Sequence, residues 1–184
     1  MTDPRTIAVY DARANAYAAL ETDTPRPSLL AFIAVLPPGG AVLDLGCGPG
    51  SAAAHMMTAG LHVDAIDASQ AMVALARARG VPARVAGFDD VAGTAIYDGV
   101  WASFSLLHAS RTDLPRHIGA IADALRPGGL FHIAMKTGTG TRRDPIDRLY
   151  TYVTEAELRG LLCDGGLTPV DVRTGVDKGL AGTD

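Results

Sequence analysis

From residue 41 onward, short apolar runs alternate with amphipathic helical stretches, and this alternation constrains the fold more than any other feature of the 184 residues. Strands separated by helix-length segments cannot pair as hairpins. They must cross over, so the pattern implies βαβ units and a mainly parallel sheet with helices on both faces. Six strands are expected, at Ala41 to Leu45, His62 to Ile66, Ala83 to Phe88, Gly99 to Phe104, Leu130 to Met135 and Thr168 to Val172. Between the second and third, Ala71, Ala74, Leu75 and Ala78 fall at helical spacing with Met72 beside them, Ser69 as a cap and Gly80 as a stop. Leu114, Ile118, Ile121 and Leu125 repeat that period, with Pro115 in the first turn and Pro127-Gly128-Gly129 as the terminator. Thr154 and Glu157 stand in capping-box spacing ahead of Leu158, Leu161 and Leu162, predicting a third helix. The fold class expected is therefore α/β, doubly wound.

One domain suits this length, divided into an N-terminal helical cap over residues 1–37, a core over 40–173 and a tail over 174–184. Residues 5–36 read as one or two helices broken near Thr22 to Pro27. The stretch from Thr137 to Tyr150 reads as a loop, longer than the usual connection. Lys plus Arg number 16 against 20 Asp plus Glu, a net charge of −4, which argues against a nucleic-acid partner. Neither a signal-peptide core nor a run long enough to span a membrane is present, so a cytoplasmic location is expected. The two cysteines, Cys47 and Cys163, lack metal-type spacing, and no metal is expected.

The most chemically informative stretch is Val42-Leu43-Asp44-Leu45-Gly46-Cys47-Gly48-Pro49-Gly50, leading into Ser51-Ala52-Ala53-Ala54. A strand, a tight turn and a helix start follow one another. Gly46, Gly48 and Gly50 permit positive φ and close approach of a ligand, while the helix start offers free N–H groups and a positive dipole end. Asp44 ends an apolar strand, where a buried carboxylate needs a partner. Asp67 ends the second strand about twenty residues on, the place where a carboxylate accepts ribose hydroxyls in doubly wound folds.

This stretch resembles the first signature of class I S-adenosylmethionine-dependent methyltransferases. Its G-x-G-x-G spacing is tighter than the G-x-G-x-x-G of nicotinamide and flavin enzymes. Leu125-Arg126-Pro127-Gly128-Gly129-Leu130 is similar to the family as well, and the resemblance spans residues 40 to 173. It implies S-adenosylmethionine as cofactor, with S-adenosylhomocysteine as product. The cofactor set it implies is Asp44, Gly46, Cys47, Gly48, Gly50, Asp67, Ala68, Met72, Phe88, Asp89 and Ser103, with Asp89, or next to it Asp90, on the adenine. Arg13 and Tyr17 are placed over the methionine end from the N-terminal helix, and Tyr10 joins them. The family's seventh strand, antiparallel, is not read here. The fifth and sixth strands are then expected to pair directly, leave a gap or recruit another chain.

Methyl transfer is an in-line displacement that needs alignment and exclusion of water more than a covalent catalyst. A protonated acceptor also needs a base, and His108, after the fourth strand at the ligand-binding edge, is the candidate, with Tyr10 of the N-terminal helix named as a second catalytic residue. Lys136, Arg142, Arg143 and Arg148 offer contacts to an acidic acceptor. The segment typical of DNA amino-methyltransferases and the paired acids of metal-dependent catechol enzymes are both missing. A small-molecule acceptor follows, met by a monomer or homodimer. Two alternatives stand beside this reading: a non-enzymatic sensor of the cofactor and, with the wrong glycine spacing, a nicotinamide-dependent oxidoreductase.

Overall fold

A computed structural model describes residues 3–22, 24–176, 178–179 and 182–183. Two helices, α1 (Pro4–Ala18) and α2 (Pro27–Val35), precede the alternating elements β1 (Ala41–Leu45), α3 (Ser51–Thr58), β2 (His62–Asp67), α4 (Gln70–Ala78), β3 (Ala83–Val85), β4 (Tyr97–Ser103), α5 (Leu114–Ala124) and β5 (Leu125–Ala134). A hairpin, β6 (Thr141–Arg143) and β7 (Leu149–Thr151), and then α6 (Glu155–Asp164) follow. The five long-range strands form one parallel sheet in the order β3-β2-β1-β4-β5. The chain winds outward from β1 in one direction and from β4 in the other, so a crevice opens between their carboxyl ends. That is the switch point where ligands bind in open α/β sheets.

Alternation along the central strands sends side chains to two cores. Leu43, Leu45, Val100 and Ala102 face a cluster built with Leu114 and Ile121 of α5. Val42 and Trp101 face the other side, against Leu29 and Phe32 of α2 and Met56 of α3. Leu114, Ile118 and Ile121 are at most 1% exposed, and burying each such side chain stabilises the fold by about 1.5–3 kcal/mol. On α4 the buried face is Met72, Val73 and Ala76, not the alanine-rich stripe read from the sequence. Alanine carries too little apolar area to fix a helix's orientation when larger side chains lie alongside.

Two expectations are corrected. The stretch Thr137 to Tyr150 is not a plain loop, because Thr141–Arg143 pairs antiparallel with Leu149–Thr151. Asp144 closes the turn by accepting from the backbone N–H of Ile146 at 3.1 Å and of Arg148 at 2.9 Å. Strands of three residues are too short for alternation to show. Thr168 to Val172 forms no strand: Pro169 lacks an N–H for a ladder, and Val170 stands 85% exposed. β5 and the expected sixth strand therefore do not pair directly. Lys178–Gly179 and Gly182–Thr183 pair only with each other, so no seventh strand joins the sheet among the described residues. Within the tail, residues 177, 180, 181 and 184 lie outside the described residues.

Candidate active site

The turn after β1 folds back onto the end of β2, where the N–H groups of Gly46 and Cys47 both donate to the Ile66 carbonyl at 2.8 and 2.9 Å. Gly48 then donates its N–H to Asp67 Oδ2 at 2.9 Å, and Ser69 donates its own to Asp67 Oδ1 at 2.8 Å. The carboxylate is thus clamped by backbone on two sides. Burial nevertheless pushes its pKa above the ordinary value, against those two hydrogen bonds.

The loop glycines have different duties. A β-carbon on Gly46 would stand 2.3 Å from the β-carbon of Ser105, so packing alone demands glycine there. On Gly48, at φ +53°, it would meet only a Tyr17 ring carbon at 3.8 Å. Gly48 faces open space.

That space is a cavity of about 620 Å³, its open mouth included, within the range of small-molecule sites. Its floor is Leu45, Gly46 and Gly48; Asp67, Ala68, Ser69 and Met72 form one side. Ala86, Gly87 and Phe88 close one end, and Ser103, Phe104, Ser105 and His108 the other. Thr6, Ile7, Tyr10 and Tyr17 of α1 complete the wall. The structure therefore brings together Tyr10, Tyr17, Gly46, Gly48, Asp67, Ala68, Met72, Phe88, Ser103 and His108 from the sequence-predicted set.

Five of that set lie elsewhere. Asp44 is 2% exposed and outside the lining. Its Oδ2 finds no hydrogen-bond partner, and burial, aided by Asp67 and Glu21, pushes its carboxyl up to about 8. Cys47 is buried, with its thiol on the Gly48 carbonyl at 3.6 Å. Gly50 packs on Ala76. Asp89 turns away from the cavity and pairs with Arg116 at 2.6 Å, because the short 3-10 turn Phe88–Asp90 buries Phe88 and leaves the acid outside. Arg13 is exposed at a kink within α1 (φ −119°, ψ 15°).

His108 lies at the end of a 3-10 turn after β4, 5% exposed. Its Nδ1 stands 2.7 Å from the Leu149 carbonyl, which can only accept, so Nδ1 carries the proton. Nε2 is then an acceptor, and the Tyr10 hydroxyl, 2.8 Å away, donates to it. Arg148 Nη1 donates to the same Tyr10 oxygen at 3.0 Å and is itself held by Asp144 at 2.7 Å. Burial drives the His108 pKa down to about 4, with Arg148 adding to the effect and the Leu149 carbonyl opposing it. That places it below the ordinary histidine range. The nitrogen that a base would use is already occupied by Tyr10.

The four cations proposed to meet an acidic acceptor are engaged elsewhere. Arg143 pairs with Asp3 at 2.9 Å, Arg148 with Asp144, Arg142 lies over the Tyr152 ring and Lys136 over Tyr150. None lines the cavity. Among cavity residues that sequence reasoning missed, Ser69 was visible only as a helix cap, while Thr6 and Ile7 enter through the docking of α1. Phe104 is held at φ +55°, a conformation no sequence signal announces for an aromatic residue.

Among the described residues, no three His, Cys, Asp or Glu side chains gather as metal ligands, and no helix is long and apolar enough to cross a membrane. A sequence-family model described as a methyltransferase domain matches residues 42–129. No curated protein sequence matches the chain. Among solved structures, Burkholderia thailandensis 1,6-didemethyltoxoflavin-N1-methyltransferase, with bound 1,6-didemethyltoxoflavin and S-adenosylhomocysteine, is 26% identical with a TM-score of 0.68. The match covers 96% of this chain and 83% of that one. DhpI in complex with SAH is 24% identical with a TM-score of 0.70, covering 97% of this chain and 91% of that one. An S-adenosylmethionine-dependent methyltransferase from Mesorhizobium loti is 24% identical with a TM-score of 0.59, covering 74% and 79%. With the domain match spanning β1 to the start of β5 and the glycine turn and acid of β2 assembled at the sheet's switch point, the chain carries a methyltransferase domain and shares the fold of S-adenosylmethionine-dependent methyltransferases.

Proposed function

We propose that this methyltransferase transfers its methyl group to an oxygen, nitrogen or sulfur atom of an uncharged small molecule bound at the α1 side of the cavity. The observation that carries this reading is the cavity itself: its end at Asp67 and Gly48 is polar backbone and carboxylate, while its other end is Ile7, Phe104 and the Tyr10–His108 pair, with no cation in the lining among the described residues. An acidic acceptor would meet no compensating charge there, and an ionised group buried without a partner is costly.

The residues fit the cofactor. Asp67, oriented by Gly48 and Ser69, keeps lone pairs for ribose hydroxyls; Ala68, Met72 and Phe88 offer apolar walls for a base. Tyr17 and Gly48 border the space toward β4. The cofactor supplies a methyl group on a sulfonium, and the protein's part is to align a nucleophile about 3–3.5 Å from it and exclude water. Tyr10 and His108 are the proposed catalytic pair, acting by orientation: the His108–Leu149 and Arg148–Tyr10 bonds fix the hydroxyl that borders the acceptor. Preorganised polar groups of this kind cost no rearrangement at the moment of reaction.

Calorimetry with S-adenosylmethionine and S-adenosylhomocysteine, followed by label transfer from the methyl-labelled cofactor to uncharged phenols, thiols and nitrogen heterocycles, tests the reading. The panel should include 1,6-didemethyltoxoflavin, the ligand of the Burkholderia relative. Turnover confined to anionic acceptors would overturn it. Tight cofactor binding with no turnover at all would favour a cofactor sensor instead.

A further inference from the structure

Helix α1 forms one wall of the cavity yet buries only Thr6 and Ala14. Beside the packing of its Tyr10 ring on His108, polar contacts attach it to the rest of the fold at two places. Toward the β6–β7 hairpin, Asp3 takes Arg143 at 2.9 and 3.0 Å, Thr6 Oγ1 accepts from the Leu149 N–H at 2.8 Å, and Tyr10 meets Arg148. Toward α4 there is Asp11. Its Oδ1 accepts from the Ser69 hydroxyl at 2.6 Å and from the Ala71 N–H at 3.0 Å.

Ser69 is the joint between this contact and the site. Its hydroxyl also caps α4, accepting from the Met72 N–H at 3.2 Å, while its own N–H holds Asp67 Oδ1. Asp11, the first turn of α4 and the clamped carboxylate thus form one continuous hydrogen-bonded chain. A Ser69 freed from Asp11 keeps its N–H but loses the anchor that sets the direction of that N–H.

We propose that Asp11 is a positioning residue for cofactor binding: by holding the Ser69 hydroxyl and the Ala71 N–H it seats α1 over the cavity and fixes the Ser69 N–H that orients Asp67 toward the ribose. The proposal rests on Asp67 being the ribose-binding acid. Asp11 does not line the cavity, so its hydrogen-bonded effect passes through Ser69, while its charge also acts on Asp67 across space, a contribution that D11N removes and the hydrogen bonds do not share.

The test is calorimetric binding of S-adenosylhomocysteine to the full chain and to D11A, D11N, S69A, D11A/S69A and D67A, each first shown to unfold cooperatively. D11A should bind about tenfold more weakly, the size of one lost charge-assisted hydrogen bond. D11N should stay within about threefold of the parent, because its amide oxygen can accept the same two hydrogen bonds from Oδ1's position. The double variant should be no weaker than the worse single one, since residues acting through one another are not additive. A folded D11A with parental affinity, a D11N as weak as D11A, or fully additive losses in the double variant would each overturn the proposal. A merely structural Asp11 would lower the melting temperature and leave affinity alone. Should D11A not fold, D11N and S69A still decide, since S69A must then bind weakly while D11N does not. Parental affinity in D67A would remove the ribose assignment itself, a failure distinct from that of Asp11.

Discussion

Replacing His108 with glutamine should make the fold less sensitive to acid. In the folded protein the ring is buried and its pKa lies near 4, against about 6.5 for an unfolded chain. The folded state therefore binds fewer protons than the unfolded state between these values, and stability falls as pH drops through that window. The contribution is fully present above about pH 6.5 and is lost toward pH 4. Applying linkage to the two pKa values, the loss between pH 7 and pH 5 is about 2 kcal/mol from this residue alone. Urea unfolding of the parent and of H108Q at both pH values measures it, and the difference between the two pH slopes isolates His108 because every other titrating group is shared. Glutamine offers an oxygen for the Tyr10 hydroxyl, so the local network retains an acceptor at neutral pH. Parallel slopes would refute the assignment of a buried neutral imidazole. The same reasoning predicts that turnover shows no inflection near pH 6.5 attributable to His108.

The glycine turn should separate packing from binding. G46A should destabilise the fold by several kcal/mol or prevent folding, since its methyl collides with the Ser105 side chain, whereas G48A should fold at a cost of about 1–2 kcal/mol for its left-handed backbone and lose cofactor affinity, as thermal melts and calorimetry will report. D67A should weaken S-adenosylhomocysteine binding by about 1–3 kcal/mol, measured by titration on folded protein. His117 is 1% exposed with neither ring nitrogen hydrogen-bonded, so H117L should be neutral or stabilising by up to about 2 kcal/mol in chemical denaturation, and a loss of that size would mean the ring has a partner after all. R148M, which strands Asp144 and releases the Tyr10 oxygen, should lower the melting temperature and cut turnover while leaving cofactor affinity near normal.

Much of the parallel sheet was legible because its signal is local. Apolar runs bounded by glycine and proline mark β1, β2 and β4 within a residue or two, and the turn residues Gly46 and Gly48 declare their own backbone. Asp67 could be placed in the cavity lining because a strand end is itself a short-range signal. The face of α4 was misread, and the β6–β7 hairpin passed as loop, because alanine-rich and three-residue segments leave period and alternation too weak to decide orientation.

What the sequence alone determined was the winding of β1 through β5, the glycine turn and the strand-end acid that follows it, all set by short-range pattern and backbone sterics. Tertiary structure decided which of the chemical groups meet. Tyr10 lies 98 residues from His108 and 138 from Arg148, and only the seating of α1 against the hairpin joins them. That contact also gives the His108 ring a hydrogen-bond partner on Nε2, and burial lowers its pKa, neither of which its place in the chain announces. Asp89, one position beyond a buried phenylalanine, was turned to solvent by the same kind of event. Proton affinity and partnership depend on what surrounds a group, and its surroundings come from distant parts of the chain.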